Sequence, residues 1–307
     1  MPAKAGNALL LFSWRIEMKL NKKAVFNKVV KDGKIVARES RYALGVVIPN
    51  KTDVSKHDET ELLRSINIAK FVSEAIFGFG PPAQIGKEVK VSNRRIQDDA
   101  TWFFINGICT TEELLESNCK YLSKIFGRTI IGIHNPTNGI ISDLMECTIS
   151  RVNEESSEKI SIVAADRIKA ELELGKNVKL IGHSQGGIIV RNVLRKLKED
   201  NAPVAGRLEV FTFSSAASDE CEIEGVVQEH FMNEFDYVAR IGLGAPEYHP
   251  RKLWERKGGT GHFLNKNYLT AFARGEFCNA ESKLYGYMRK KDKASVVEKK
   301  VKEEVKV

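Results

Sequence analysis

Val178-Lys179-Leu180-Ile181-Gly182-His183-Ser184-Gln185-Gly186-Gly187-Ile188-Ile189-Val190 is the most informative stretch of this chain. A short, apolar, β-branched run meets a Gly-x-Ser-x-Gly core, and an apolar segment compatible with a helix follows at once. That order of strand, sharp turn and helix is what a nucleophile elbow requires. Such a turn leaves little room for a Cβ two positions before and two after the serine. Here those positions are Gly182 and Gly186, and Gly187 adds clearance for close packing of helix on sheet. The serine projects from the turn, and the helix N-terminus beneath it favours developing negative charge. The competing reading is a glycine-rich strand–helix turn in some other α/β fold.

Outward from the elbow, strands and helices alternate from Thr101 onward. Trp102-Phe103-Phe104-Ile105 reads as a buried strand ended by Asn106-Gly107. A helix runs from Thr111 to about Phe126, and a strand follows over Thr129–Ile133. Helical segments are expected over Ile140–Ile149 and from about Glu158 to Leu174, the second ended by Gly175. Beyond the elbow helix, which runs to about Lys198, come strands at Leu208–Phe213 and Val226–His230, and a last helix over about Asn265–Ala273. Strands separated by helices imply a mainly parallel sheet covered on both faces. No internal repeat is evident.

Residues 1–98 read as an N-terminal extension packed on this domain. Ala24–Val30 and Lys34–Arg38 flank Lys31-Asp32-Gly33, a hairpin signal, and Tyr42–Ile48 is a third candidate strand. Asp58-Glu59-Thr60-Glu61 opens a helix that Gly78-Phe79-Gly80-Pro81-Pro82 stops. The polar Ser92–Asp99 segment marks the boundary, which gives an extension over 1–98, a catalytic domain over 99–288 and a basic tail over 289–307. The hairpin is a candidate for antiparallel edge strands of the sheet.

At 307 residues, 42% hydrophobic and 29% charged, the composition is that of a soluble globular protein. The net charge of +8 invites a nucleic-acid reading. Half of it sits in the tail from Arg289 to Val307, with eight Lys/Arg against four Asp/Glu. No RNA-binding aromatic signature, zinc spacing or Walker loop accompanies it, so no specific nucleic-acid binding is expected. The tail reads as a solvated charge run, with weak docking on an acidic partner or an anionic membrane as the alternative. Cys109, Cys119, Cys147, Cys221 and Cys278 are scattered and odd in number, as for reduced thiols in the cytoplasm. Ala8-Leu9-Leu10-Leu11-Phe12 is too short for a secretory core, and no run approaches the ~20 apolar residues of a bilayer span.

A serine nucleophile needs a base, an acid that orients the base, and an oxyanion hole. At an elbow of this kind the order along the chain is serine, acid, histidine. His57 and His134 precede Ser184 and have the wrong order. His183 diverges from the serine and reads as a packing residue. His230 ends an apolar strand, and His249 lies in a loop before Pro250. His262, in Gly258-Gly259-Thr260-Gly261-His262-Phe263-Leu264-Asn265, sits on a glycine-rich turn that lets an imidazole reach across the sheet edge. The acid is Asp236 or Asp219. Phe235, Tyr237 and Val238 around Asp236 indicate burial, whereas Asp219 beside Glu220 reads as a solvated charge. The oxyanion hole is assigned to the Gln185 backbone N–H and a second N–H from Gly107 or Ile108, in the loop after Ile105. Cys109 in that loop reads as an ordinary thiol.

The segments Phe103-Phe104-Ile105-Asn106-Gly107, Phe126-Gly127-Arg128, Gly132-Ile133-His134-Asn135, Thr137-Asn138-Gly139-Ile140, the elbow, Asp236-Tyr237-Val238-Ala239-Arg240 and Gly261-His262-Phe263-Leu264-Asn265 resemble a group of largely uncharacterised fungal α/β-hydrolase proteins. The resemblance covers about residues 100–275. It implies an α/β-hydrolase fold with a lipase-like triad, matching Ser184, Asp236 and His262, and names no substrate. The loop begins Asn-Gly where many lipases have His-Gly. The expectation is a serine hydrolase of a small acyl ester, lipid or other, that needs no cofactor and no metal. The alternatives are an acyltransferase or peptidase with the same triad, or a catalytically inactive α/β-hydrolase-like binding module.

Overall fold

The computed structural model describes residues 86–93, 95–96, 99–107, 110, 112–135, 154–277 and 281–288. The expected hairpin over 24–38, the strand over 42–48, the helix from Asp58, the helix over 140–149, Ile108, Cys109 and the tail over 289–307 lie outside these residues. Among the described residues seven strands form one sheet: β1 (Glu88–Val91), β2 (Ala100–Ile105), β3 (Ile130–Ile133), β4 (Asn177–His183), β5 (Leu208–Phe213), β6 (Val227–Phe235) and β7 (Leu253–Thr260). Their spatial order is β1-β3-β2-β4-β5-β6-β7. All pairings are parallel except β1 with β3, which is antiparallel.

The apolar runs read as buried strands because both faces of this sheet are covered. Side chains alternate between two cores, as the two-residue period of a strand requires. Trp102, Phe104, Ile181, Phe211, Phe213 and Phe231 point to one face. There they pack on α1 (Glu112–Phe126) and on Tyr268 and Phe272 of the segment after β7. Phe103, Ile105, Val178, Leu180 and Val210 point to the other face, against α2 (Glu154–Glu173) and α3 (Gln185–Glu199). On α3 the buried residues Ile189, Val190, Val193, Leu194 and Leu197 form one stripe at helical spacing. Gly175, with φ +77°, ends α2 as its sequence position indicates.

Two strands depart from the sequence reading. β1 lies before the expected boundary at 98, so that boundary cuts an edge strand off its own sheet. At the opposite edge, Leu253–Thr260 pairs with β6, although Gly258-Gly259 reads as a flexible turn. Among the described residues both are edge strands with one unpaired side, and charges such as Glu88, Lys90, Glu255, Arg256 and Lys257 suit that position. β1 alternates charged and apolar residues openly (Glu88, Val89, Lys90, Val91), whereas the charges and glycines of β7 hide any alternation. β6 also continues to Phe235, five residues past His230. Three short helices complete the described chain: α4 (Tyr237–Ile241), α5 (Thr270–Ala273), and α6 (Lys283–Gly286). The expected last helix starts as a π-helical turn over Leu264–Leu269 before α5.

Candidate active site

Ser184 is the single residue between β4, which ends at His183, and α3, which begins at Gln185. Its backbone is left-handed, φ 59° and ψ −125°, an unfavourable state for a residue with a Cβ. The surrounding packing holds it there. A Cβ on Gly186 would overlap the carbonyl oxygen of Ile105. One on Gly182 would lie 2.8 Å from Val190 Cγ2 and 2.9 Å from the Gly186 carbonyl oxygen. The glycines therefore let helix and strand close on each other, and the serine side chain is left at the carboxyl edge of the sheet. It makes no capping bond to its own helix.

The same edge supplies its neighbours. His262 follows β7, with its Nε2 2.9 Å from Ser184 Oγ. Its Nδ1 lies 3.0 and 3.1 Å from the two carboxylate oxygens of Asp236, which follows β6. Asp236 is 2% exposed. Its Oδ1 accepts from the Val238 and Ala239 N–H groups at 3.0 and 3.4 Å, capping α4. Its Oδ2 accepts from Ser214 Oγ at 2.5 Å and Tyr268 Oη at 2.6 Å. Burial opposes ionisation of this carboxyl, but the neighbouring His262, the hydrogen bond it donates, and those from Ser214 and Tyr268 hold it below the usual carboxylate range. Asn233 fixes the histidine loop by donating from Nδ2 to the Gly261 and Thr260 carbonyls at 3.0 and 3.3 Å.

His183, the residue before the serine, turns away from it. Its Nε2–H donates to the His262 carbonyl oxygen at 2.9 Å. Burial, and then the nearby His262, push its pKa down to about 3, so it stays neutral near pH 7. It braces the loop that carries His262.

On the other side of Ser184 lie the ends of β2 and β3. A Cβ on Gly107 would sit 2.7 Å from Ser184 Cβ and 3.1 Å from Oγ, so only glycine lets this backbone come so near. Gln185 is the first residue of α3, and its N–H has no acceptor within the helix. The Gln185 side chain is tied down: Asn135 Nδ2 donates to its Oε1 at 2.8 Å. Asn106 Oδ1 accepts from the Asn135 N–H at 2.9 Å, while its Nδ2 donates to the Gly107 carbonyl at 2.6 Å and the Asn135 carbonyl at 3.1 Å. The buried pair Asn106 and Asn135 thus joins three strand ends around the serine.

Asn106, Asn135, Ser184, Ser214, Asp236 and His262 all lie just beyond the carboxyl ends of parallel strands, with the serine on a strand–turn–helix elbow at the sheet's centre. The chain has an α/β-hydrolase fold. No family model matches the sequence, and no curated protein matches it either. Solved structures with likeness to it include carboxyl esterase 2 from the mycorrhizal fungus Tuber melanosporum, at 11% identity and TM-score 0.41, over 71% of this chain and 90% of that one. A hyperthermophilic esterase from the archaeon Pyrobaculum calidifontis matches at 9% identity and TM-score 0.40, over 84% of this chain and 92% of that one. The Paleococcus ferrophilus monoacylglycerol lipase matches at 14% identity and TM-score 0.39, over 66% and 100%.

Within this α/β-hydrolase fold the remaining candidates lie elsewhere. Asp219 is bound to Arg191 and, at 2.6 Å, to Arg195 on the outer surface of α3, and its side chain is 42% exposed. His230 is buried with both ring nitrogens engaged, Nδ1 2.7 Å from Thr212 Oγ1 and Nε2 2.9 Å from Glu220 Oε1. His249 is exposed, and His134 lies 2.7 Å through Nε2 from the Thr110 carbonyl. Sequence reasoning passes over Ser214, Tyr268, Asn106 and Asn135 as parts of the site. Among the described residues no group of three or more His, Cys, Asp or Glu is placed to hold a metal ion.

Proposed function

We propose that this chain is a serine hydrolase that cleaves an ester bond of a lipid or other acyl ester. The single observation that carries the reading is the hydrogen-bonded chain from Ser184 Oγ through His262 to the buried Asp236 carboxylate. Ser184 Oγ attacks the ester carbonyl carbon while His262 Nε2 takes its proton. Asp236 keeps Nδ1–H oriented and stabilises the imidazolium that forms. The Gln185 N–H, with a second N–H from the Gly107–Ile108 loop, receives the negative charge on the carbonyl oxygen. Collapse of the tetrahedral intermediate returns the proton to the leaving alcohol and leaves an acyl-Ser184 ester. Water, deprotonated by His262, then releases the acid and regenerates the serine.

Acyl transfer uses the same steps with an alcohol or amine in place of the water, and peptide cleavage replaces the leaving alcohol with an amine. The five donors converging on Asp236 favour an active site over an inert binding module, because an isolated buried carboxylate is costly and serves no packing need. We place the protein in the cytoplasm. Among the described residues Cys119 and Cys221 are buried free thiols, which supports a reducing compartment. Among the described residues no helix is long and apolar enough to cross a membrane. Contact of the basic tail with an anionic membrane or acidic partner is proposed on charge alone.

Hydrolysis of short p-nitrophenyl esters tests the reading. Turnover by the wild type that disappears in Ser184→Ala supports it. Equal turnover by both proteins, or none by the wild type across acyl chains from acetate to decanoate, overturns it.

A further inference from the structure

Resting on that reading, we propose that Ser214 is a positioning residue that fixes the protonation of His262. Ser214 follows β5, between the elbow serine and Asp236 in the order of strands, and is fully buried. Its Oγ lies 2.5 Å from Asp236 Oδ2 and 2.7 Å from His262 Nδ1. The hydroxyl is thus nearer to Nδ1 than either carboxylate oxygen, at 3.0 and 3.1 Å.

The proton inventory of this triangle has one consistent solution. An ionised carboxylate only accepts, so the single Ser214 proton points to Asp236. The Ser214 oxygen then faces His262 Nδ1 with a lone pair. Nδ1 must therefore carry a hydrogen, which it shares between Ser214 and Asp236. The other nitrogen, Nε2, is left without one and can accept from Ser184. In the opposite tautomer Nδ1 and Ser214 Oγ would present lone pairs to each other. Ser214 penalises the tautomer that cannot act as a base.

A second observation is independent of these contacts. Ser214 has φ 51°, in the left-handed region that side chains with a Cβ disfavour. Among the described residues three non-glycine positions have positive φ: Ser184, Asn201 and Ser214. Asn tolerates this state through its own amide, but serine has less compensation. A glycine at 214 would relax the backbone, yet the chain carries a hydroxyl there. Strain kept at a site where a relaxed residue would fit is the pattern of a functional constraint.

Two variants separate this role from a structural one. Ser214→Ala removes the hydroxyl and keeps the strain, whereas Ser214→Gly removes both. Ser214→Gly should melt about 2–4 °C above Ser214→Ala. If the hydroxyl positions the base, kcat for a p-nitrophenyl ester falls roughly tenfold or more in both variants, with KM unchanged. Activity then follows the hydroxyl and not the stability. A wild-type kcat in Ser214→Gly, or a kcat that recovers with melting temperature from Ala to Gly, overturns the inference while leaving the Ser184 reading in place. Absence of turnover in the wild type overturns both.

Discussion

Asp236→Asn is the perturbation whose consequence the geometry defines most narrowly. The substitution keeps size and shape, and an Asn Oδ1 can still accept from Val238 and Ala239 and cap α4. The change falls on Oδ2, which accepts from Ser214, Tyr268 and His262 Nδ1 within 3.0 Å. An amide NH₂ in that place meets three donors with two more. Relief comes from moving the His262 proton to Nε2, so that Nδ1 accepts from the amide. Nε2–H then faces Ser184 and no base remains. Loss of the correct tautomer lowers kcat by about 10⁴ in serine proteases, or about 5.4 kcal/mol of transition-state stabilisation. The same drop is expected here, read as initial rates of p-nitrophenyl ester hydrolysis at saturating substrate, with KM little changed. Asp219→Asn is the matched control: its partners Arg191 and Arg195 lie on the surface, and kcat should stay within tenfold of wild type. A 10⁴ loss in Asp219→Asn, or an Asp236→Asn enzyme within tenfold of wild type, refutes the reasoning.

Two further expectations concern stability. Glu229 is fully buried on β6 and accepts from Ser282 Oγ at 2.8 Å, the Lys283 and Leu284 N–H groups at 2.9 and 3.2 Å, and Lys252 Nζ at 3.2 Å, which ties α6 to the sheet. Glu229→Ala orphans several donors and should cost roughly 2–4 kcal/mol in urea unfolding, and an unchanged midpoint would contradict this. His183 has a folded-state pKa near 3 against 6.5 when unfolded, so on acidification the unfolded chain takes the proton first. The stability it permits is complete above about pH 6.5 and falls as the pH drops towards 3, with roughly 2 kcal/mol lost at pH 5. Comparing melting curves at pH 7 and pH 5, His183→Gln should lose less on acidification than the wild type. An equal loss in both proteins excludes His183 as the titrating group.

The elbow is readable in the chain because its constraint is local: a strand, a helix and glycines where backbones meet. The buried strands are readable because a parallel sheet covered on both faces demands continuous apolar runs, as in Trp102–Ile105 and Leu208–Phe213. Edge strands obey a different rule. Glu255-Arg256-Lys257-Gly258-Gly259 spells a loop by composition, and only pairing with β6 makes it a strand. Asp236 stands out by its apolar neighbours, and it is buried against His262 although Phe235 and Tyr237 beside it are themselves exposed. Ser214 carries no such signature, because its role depends on a left-handed backbone and on two partners 22 and 48 residues away. The available signal is positional: a polar residue directly after a fully buried strand, at the carboxyl edge that also holds the elbow. Asn106 directly follows the buried end of β2, and Asn135 comes two residues after the end of β3.

The central claim is that Ser184 is an activated nucleophile, and covalent labelling tests it without knowledge of the substrate. A fluorophosphonate probe reacts with a serine whose proton is taken by a neighbouring base, and its tetrahedral adduct places an oxygen where the oxyanion would sit. The purified 307-residue chain should gain the mass of one probe, located by peptide mass spectrometry on the fragment containing Ser184, with no labelling in Ser184→Ala or His262→Ala. An unlabelled wild type, or the same adduct on Ser184→Ala, would contradict the account.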